Sequence, residues 1–310
     1  MKVHGSGRGF HPMGFPQLCG NWSSNLLGSC VASLFVICLG GGVGLPRAFA
    51  EFSSPRLVCG ATGTATQCAT GIDLVNNAYI ACVVDERIQL KIIGPDLDVD
   101  IPIETGGLAQ GDPDFATNVR FDTYMCFSQL DEGDVGREVY IVQMVGGHLL
   151  PAKNISRKPG ADDFAPRVSL ASDGTPHVVW AQRVGEQTRV MYWNAGLPNQ
   201  EAVFVALGDY PALDVDEGGL VHFVYARGND LWYNNSTGGR FNSERQVTTT
   251  PFEPESPASI GVDPQGNVLI CFESKGSLYY STKSPGSNFR PPRFVDSGRE
   301  IGRASCRERV

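Results

Sequence analysis

One unit recurs along this chain, and its period limits the fold more than any other feature. Asp163 to Trp193 reads DFAPRVSLASDGTPHVVWAQRVGEQTRVMYW: an acid, an apolar strand, the Asp173-Gly174 turn, a second strand from His177-Val178-Val179-Trp180, and a third from Val190-Met191-Tyr192-Trp193. The next copy has Asp209, Gly218-Gly219, His222-Phe223-Val224-Tyr225 and Leu231-Trp232-Tyr233, and the one after has Glu255, Gln265-Gly266-Asn267, Leu269-Ile270-Cys271-Phe272 and Leu278-Tyr279-Tyr280. The acids Asp163, Asp209 and Glu255 are 46 residues apart, and Asp114 lies 49 before Asp163. A period in the forties built from short strands and glycine turns predicts blades of four strands, since helical repeats of that length would show a 3.6-residue stripe and none appears. Fourth strands are expected at Phe241 to Val247 and Phe289 to Val295, offset by 48.

Two earlier stretches extend the array. Asp114 opens a unit with Tyr124-Met125-Cys126-Phe127, the acidic turn Asp131-Glu132-Gly133-Asp134, and Val139-Tyr140-Ile141-Val142. A weaker copy without an opening acid holds Tyr79 to Val84, Arg87 to Ile93 and Asp98 to Ile103. The expectation is an all-β chain, a β-propeller of about five four-stranded blades, open before closure. Second strands that are apolar throughout, rather than alternating, fit sheets covered on both faces.

The flanks are expected to lie outside that domain. Residues 26–45 are apolar, follow Lys2 and Arg8, and precede Ala48-Phe49-Ala50, the pattern of a secretory signal with its cleavage site; an uncleaved anchor is the other reading. Residues 300–310 (EIGRASCRERV) resemble the in-frame translation of a sequencing-library adapter. The expected organisation is therefore a signal over 1–50, a partial propeller over 51–299 and a non-native tail over 300–310, with the mature protein secreted, periplasmic or on the cell surface and not inserted in a membrane. Setting aside three basic residues in 1–50, and three basic and two acidic in 300–310, leaves 19 basic and 31 acidic residues, a net of −12. Such a surface repels nucleic acid, and it disfavours an anionic ligand unless cations are focused locally.

In an oxidising compartment Cys59 and Cys68, flanking GATGTATQ, would close a short hairpin by a disulfide. Cys82, Cys126 and Cys271 share one second-strand position with Val179 and Val224 and read as small buried hydrophobes.

The unit's P-x-h-x-h, G-x-x-H-V-V-W and L-Y-Y pattern resembles the repeats of secreted bacterial proteins of the sialidase-like (BNR-type) β-propeller superfamily over residues 111–295. That resemblance implies the fold, and it implies glycan chemistry as one function among several, because this fold hosts enzymes, lectins and scaffolds. The superfamily's Asp-box is met only partly, by Ser172-Asp173-Gly174-Thr175. Arg120 and Arg167 sit just inside first strands, yet no third arginine follows to complete a sialidase-type triad.

For chemistry, the residues that stand out are the opening acids Asp114, Asp163, Asp209 and Glu255. As a ring they would hold a sugar's hydroxyls or a hard cation such as Ca2+; as loop residues they would each accept backbone N–H bonds. No motif demands a cofactor. His177 and His222 have Tyr124 and Leu269 as period partners, which points to packing. Asp96, Asp98 and Asp100 have the spacing of a calcium loop without its glycine, and on a strand they form a solvated face. Two functions follow as expectations. One is an exported binding propeller with a glycan, peptide, cation or cell-surface ligand on an acid-lined face; the other is a sialidase-like glycoside hydrolase, whose carboxyl pair would flank the scissile bond.

Overall fold

The structure, a computed structural model, describes residues 65–296 apart from 74–75, 96, 119–121, 146–147, 158–159, 238–239 and 250–257. The segments expected to be a signal and a non-native tail, together with Cys59, Asp96, Arg120 and Glu255, therefore lie outside the described residues. Five antiparallel meanders follow one another. Sheet one holds β1 (Ala65–Ile72), β2 (Ala78–Val84), β3 (Arg87–Gly94) and β4 (Leu97–Pro102). Sheet two holds β5 (Ala109–Thr117), β6 (Thr123–Leu130) and β7 (Glu138–Val145), the last paired with the short β8 (His148–Leu149) and β9 (Lys153–Asn154). Sheet three is β10 (Asp162–Leu170), β11 (Pro176–Val184), β12 (Gln187–Asn194) and β13 (Val203–Leu207). Sheet four is β14 (Asp209–Val215), β15 (Val221–Arg227) and β16 (Asp230–Thr237), with β17 (Arg240–Phe241) and β18 (Arg245–Gln246) both on β16. Sheet five is β19 (Ser259–Val262), β20 (Val268–Ser274), β21 (Ser277–Lys283) and β22 (Arg293–Asp296). The only helical element among the described residues is one 3-10 turn at Pro198–Gln200.

The arrangement is a propeller whose sheets do not close into a ring. First strands pack on first strands along the array, β1 on β5, β5 on β10, β10 on β14 and β14 on β19, so each meander begins at the inside and ends at the outside. Apolar cores fill the four junctions between sheets. Residues of β11 and β15 are buried on both faces, which is why their sequences run apolar without alternation. In β20, by contrast, buried and half-buried residues alternate, as in a sheet with one covered face. The outermost strands are the least regular, and the expected strand at Phe241 to Val247 is two separate two-residue pieces.

Turn chemistry explains the connections. Asp85-Glu86 and Lys275-Gly276 have positive φ at both positions, the I′ geometry that matches strand twist in two-residue hairpins. Sheet two departs from this, because residues 131–137 separate β6 from β7 where the other sheets use two-residue links. Between first and second strands the same five-residue turn recurs, with N–H of the first residue donating to C=O of the fifth: Asp73 to Asn77, Asn118 to Asp122, Ala171 to Thr175, Asp216 to Leu220 and Asp263 to Asn267. In three of the five turns an Asp/Asn pair adds side-chain bonds across it, as Asn267 N and Nδ2 do to Asp263 Oδ1 and Oδ2 at 2.7 and 2.8 Å. Gly174, with φ +90°, closes the sheet-three version, and a Cβ there would stand 2.4 Å from Asp122 Oδ2 of sheet two.

Candidate ligand-binding site

The opening acids do not share one structural position. Asp114 pairs with Cys126, Arg167 with Val179, Ala212 with Val224 and Ser259 with Cys271, so Asp114 is the register equivalent of Arg167 and not of Asp163. The long β6–β7 loop shifts the sequence spacing against the register. A bulge just before this position places Asp112, Ala165 and Tyr210 at φ +51°, +50° and +45° and leaves an N–H to be satisfied in each first strand.

Each described acid then has its own task. Asp114 Oδ2 accepts from Val168 N of sheet three at 2.9 Å, and its neighbour Asp112 accepts from the bulge amide of Ala165 at 3.2 Å. The bulge amide of Asp112 is in turn held by Gln67 of sheet one at 2.6 Å. Ala165 has no polar side chain to serve sheet four, and there Asp209 caps the Tyr210 amide itself at 3.2 Å. Asp163 is fully buried and accepts from Trp180 Nε1 at 2.8 Å and Gln182 Nε2 at 2.9 Å, while its Oδ2 has no hydrogen-bond partner among the described residues. Burial, reinforced by the Glu138 carboxylate, pushes Asp163 up to about 6 against the bonds from Gln182 and Trp180. Ser156 Oγ donates to Glu138 in the same buried group. Arg167 Nη1 donates to Pro166 O at 2.9 Å.

Other expected features fall out as structure. Asp98 and Asp100 on β4 sit 2.6 and 3.2 Å from Lys91 Nζ across the ladder, a solvated cross-strand pair of contacts. Cys68 and Cys82 are cross-strand partners with their Sγ atoms 2.6 Å apart, so the described neighbour of Cys68 is on β2. Cys126 is buried as expected, whereas Cys271 is half-buried and disulfide-bonded, a correction to its reading as a simple hydrophobe. His177 Nδ1 lies 2.6 Å from Tyr192 Oη and His222 Nδ1 2.7 Å from Tyr233 Oη, both in the interior. Burial holds His177 down at about 4 and also lowers His222, where Asp216 at 3.4 Å from Nε2 opposes the shift.

The structure opens a cleft where no sequence motif pointed, between sheets four and five. Its volume is about 310 Å³, at the lower end for small-ligand pockets, and its walls include Tyr233, Asn235, Asn242, Ser243, Arg245 and Lys283. A relay of polar groups leads into it: Asp216, His222, Tyr233 Oη, which accepts from Asn235 Nδ2 at 3.2 Å, and Asn235 Oδ1, which accepts from Asn242 Nδ2 at 2.5 Å. Arg245 is anchored by Nη1 to Ser287 O at 2.9 Å, which fixes its guanidinium across the two sheets. Lys283 is 7% exposed, its Nζ 5.3 Å from the Tyr233 ring centroid and 6.0 Å from that of Phe289. Neither Asn242 nor Lys283 carries a periodic signature, because neither recurs in the other sheets. The one available signal was the loss of period itself, a lysine at the register position that is Ser236 in sheet four.

No sequence family matches the chain, and no curated protein does. Solved structures do. An α-L-arabinanase from Penicillium chrysogenum, complexed with arabinobiose, superposes with a TM-score of 0.51 at 9% identity over 74% of this chain and 80% of that one. The polysaccharide lyase Uly1 gives 0.52 at 11% identity over 76% and 69%. An ulvan lyase of a new polysaccharide lyase family gives 0.51 at 10% identity over 75% and 70%. At such identities the likeness carries the architecture alone, and the chain has the β-propeller fold of these glycan-active enzymes.

Proposed function

We propose that this chain is an exported β-propeller that binds a glycan, and that the cleft between sheets four and five is its seat. The observation that carries this reading is the cleft's lining: two asparagine side chains, a serine hydroxyl and an aromatic ring edge surround room for one small ligand unit. Amides and hydroxyls matched to sugar hydroxyls, beside an aromatic wall, are the usual makings of such a site. The opening acids contribute indirectly, since Asp114 joins sheet two to sheet three through the Val168 amide and Asp209 caps the bulge amide of its own strand.

A hydrolytic reading has weaker support. Glycoside hydrolysis needs two carboxyl groups roughly 5–9.5 Å apart with a sugar between them. Of the carboxylates that cluster here, Glu138 and Asp163 are 2% and 0% exposed, and the more open Asp112 and Asp162 are both engaged by Arg137, at 3.6 and 2.9 Å. The test is affinity gel electrophoresis of the full chain in matrices containing a panel of neutral and acidic polysaccharides. Retardation in at least one matrix, lost in Asn242→Ala, is the expected result. Unretarded migration in every matrix overturns the proposal, and release of reducing ends in the same assays would move it to the enzyme class.

A further inference from the structure

Lys283 is the least explained charge in the described molecule. Its ammonium lies in the wall of the cleft on a nearly buried side chain, with two aromatic rings for neighbours and no carboxylate or hydrogen-bond acceptor paired with it among the described residues. Buried charges are ordinarily paired, because an unpaired one forfeits its hydration without recompense. A second cation makes matters worse: burial lowers the proton affinity of Lys283, and the Arg245 guanidinium, which lines the same cleft, lowers it further. Two cations thus face one small cavity in a domain whose net charge is strongly negative. That is the local focus of positive charge which an anionic ligand requires on an acidic protein.

The equivalent place one sheet earlier shows that the fold does not require a lysine. Ser236 occupies it, fully buried, and the Tyr192 and Phe241 rings pack there as Tyr233 and Phe289 do here. We infer that the cleft recognises the acidic group of its ligand, a carboxylate or sulfate ester on a sugar, with Lys283 as the partner for the charge and Arg245 as a second donor. Asn235 and Asn242 would then address the neighbouring hydroxyls. Arg245 suits the role, since a guanidinium presents a planar fork to carboxylate and sulfate oxygens while its Nη1 stays on Ser287. This inference rests on the glycan reading above and adds the class of sugar.

Titration calorimetry of the full chain at fixed ionic strength separates the two claims. The probes are polygalacturonate, the same polymer fully methyl-esterified, and inorganic sulfate, against wild type, Lys283→Met and Lys283→Arg. Expected is at least tenfold tighter binding of the acid than of the ester, a preference lost in K283M and partly restored in K283R. Ester bound as tightly as acid overturns the anionic inference and leaves glycan binding in place. Sulfate bound by wild type and not by K283M, with neither polymer bound, keeps the anion site and removes the glycan reading. Equal weakening of acid and ester in K283M makes Lys283 a packing residue and overturns the inference, as does the absence of any binding, which removes both claims.

Discussion

The junction between sheets three and four and the junction between sheets four and five are built on one plan and finished differently. Each has a histidine on the second strand hydrogen-bonded to a tyrosine on the third, with an asparagine two residues on donating to the same hydroxyl: His177, Tyr192 and Asn194 in one, His222, Tyr233 and Asn235 in the other. In each, the tyrosine ring meets a phenylalanine of the following sheet edge-on, Phe241 at 6.1 Å and Phe289 at 5.1 Å. The earlier junction adds Phe223, 5.3 Å from Tyr192, and the buried Ser236. At those positions the later junction has Ile270 and Lys283, and the cleft lies beside them. Two residues differ inside a shared frame, and the cleft is found where they do.

The largest effect should come from forcing one junction to imitate the other. Ser236→Lys would drive an ammonium into a fully buried position, and we expect it to lower unfolding free energy by about 3–5 kcal/mol in urea titrations. A melt unchanged within error would mean that the earlier junction already has room for the charge and that the contrast is illusory. The tyrosines come next. Tyr192→Phe leaves His177 without its hydrogen-bond partner and should cost about 1–3 kcal/mol; Tyr233→Phe should cost less, because His222 retains Asp216. Equal losses would show that Asp216 contributes nothing to the relay.

Acid titration of wild type and its variants should distinguish the two kinds of buried group. His177 has a folded pKa near 4, below its unfolded value, so its contribution is complete above about pH 6.5 and is lost as pH falls toward 4. Asp163 behaves oppositely: its folded pKa of about 6 exceeds the unfolded value, so its contribution is complete below about pH 4 and is lost as pH rises through 6. Asp163→Asn should accordingly stabilise the protein at pH 7.5 by about 1–3 kcal/mol and have almost no such benefit at pH 4. A loss of stability at both pH values would mean that the carboxylate's bonds to Trp180 and Gln182 outweigh its desolvation. The smallest effect expected is that of Lys283→Met without ligand, a gain of about 1–2 kcal/mol from removing an unpaired buried charge.

Much of this architecture was legible in the sequence because strands and tight turns are local. The second strands at His177 to Trp180 and His222 to Tyr225, and the turns at Gly174, Gly219 and Gly266, are where the apolar runs and glycines put them. The acids were misaligned because a seven-residue loop in sheet two carries no strand signal, yet it moves everything after it relative to the register. A better ruler was present in the Asp73/Asn77, Asn118/Asp122 and Asp263/Asn267 pairs, whose spacing of four marks the same turn in three sheets. The cleft was not legible, because it depends on Asn242, Arg245 and Lys283 meeting across a sheet boundary, and no periodicity reports such a meeting.

The bonds between first strands also have a direction. In each of the amide bonds that join them, the acceptor belongs to the earlier sheet and the donor to the later: Gln67 takes the amide of Asp112, Asp112 that of Ala165, Asp114 that of Val168, and Asp214 that of Val262. A chain leaving a ribosome or a translocation channel amino end first therefore finishes sheets one, two and four with acceptors for the next first strand already set, while sheet four caps its own bulge amide at Tyr210. At those three junctions the first strand that emerges next finds these acceptors waiting, whereas outside the first strands Ile88 N and Arg137 N are completed by the later Gln110 and Asp162. Construction can advance in the order of synthesis, one sheet templating the next.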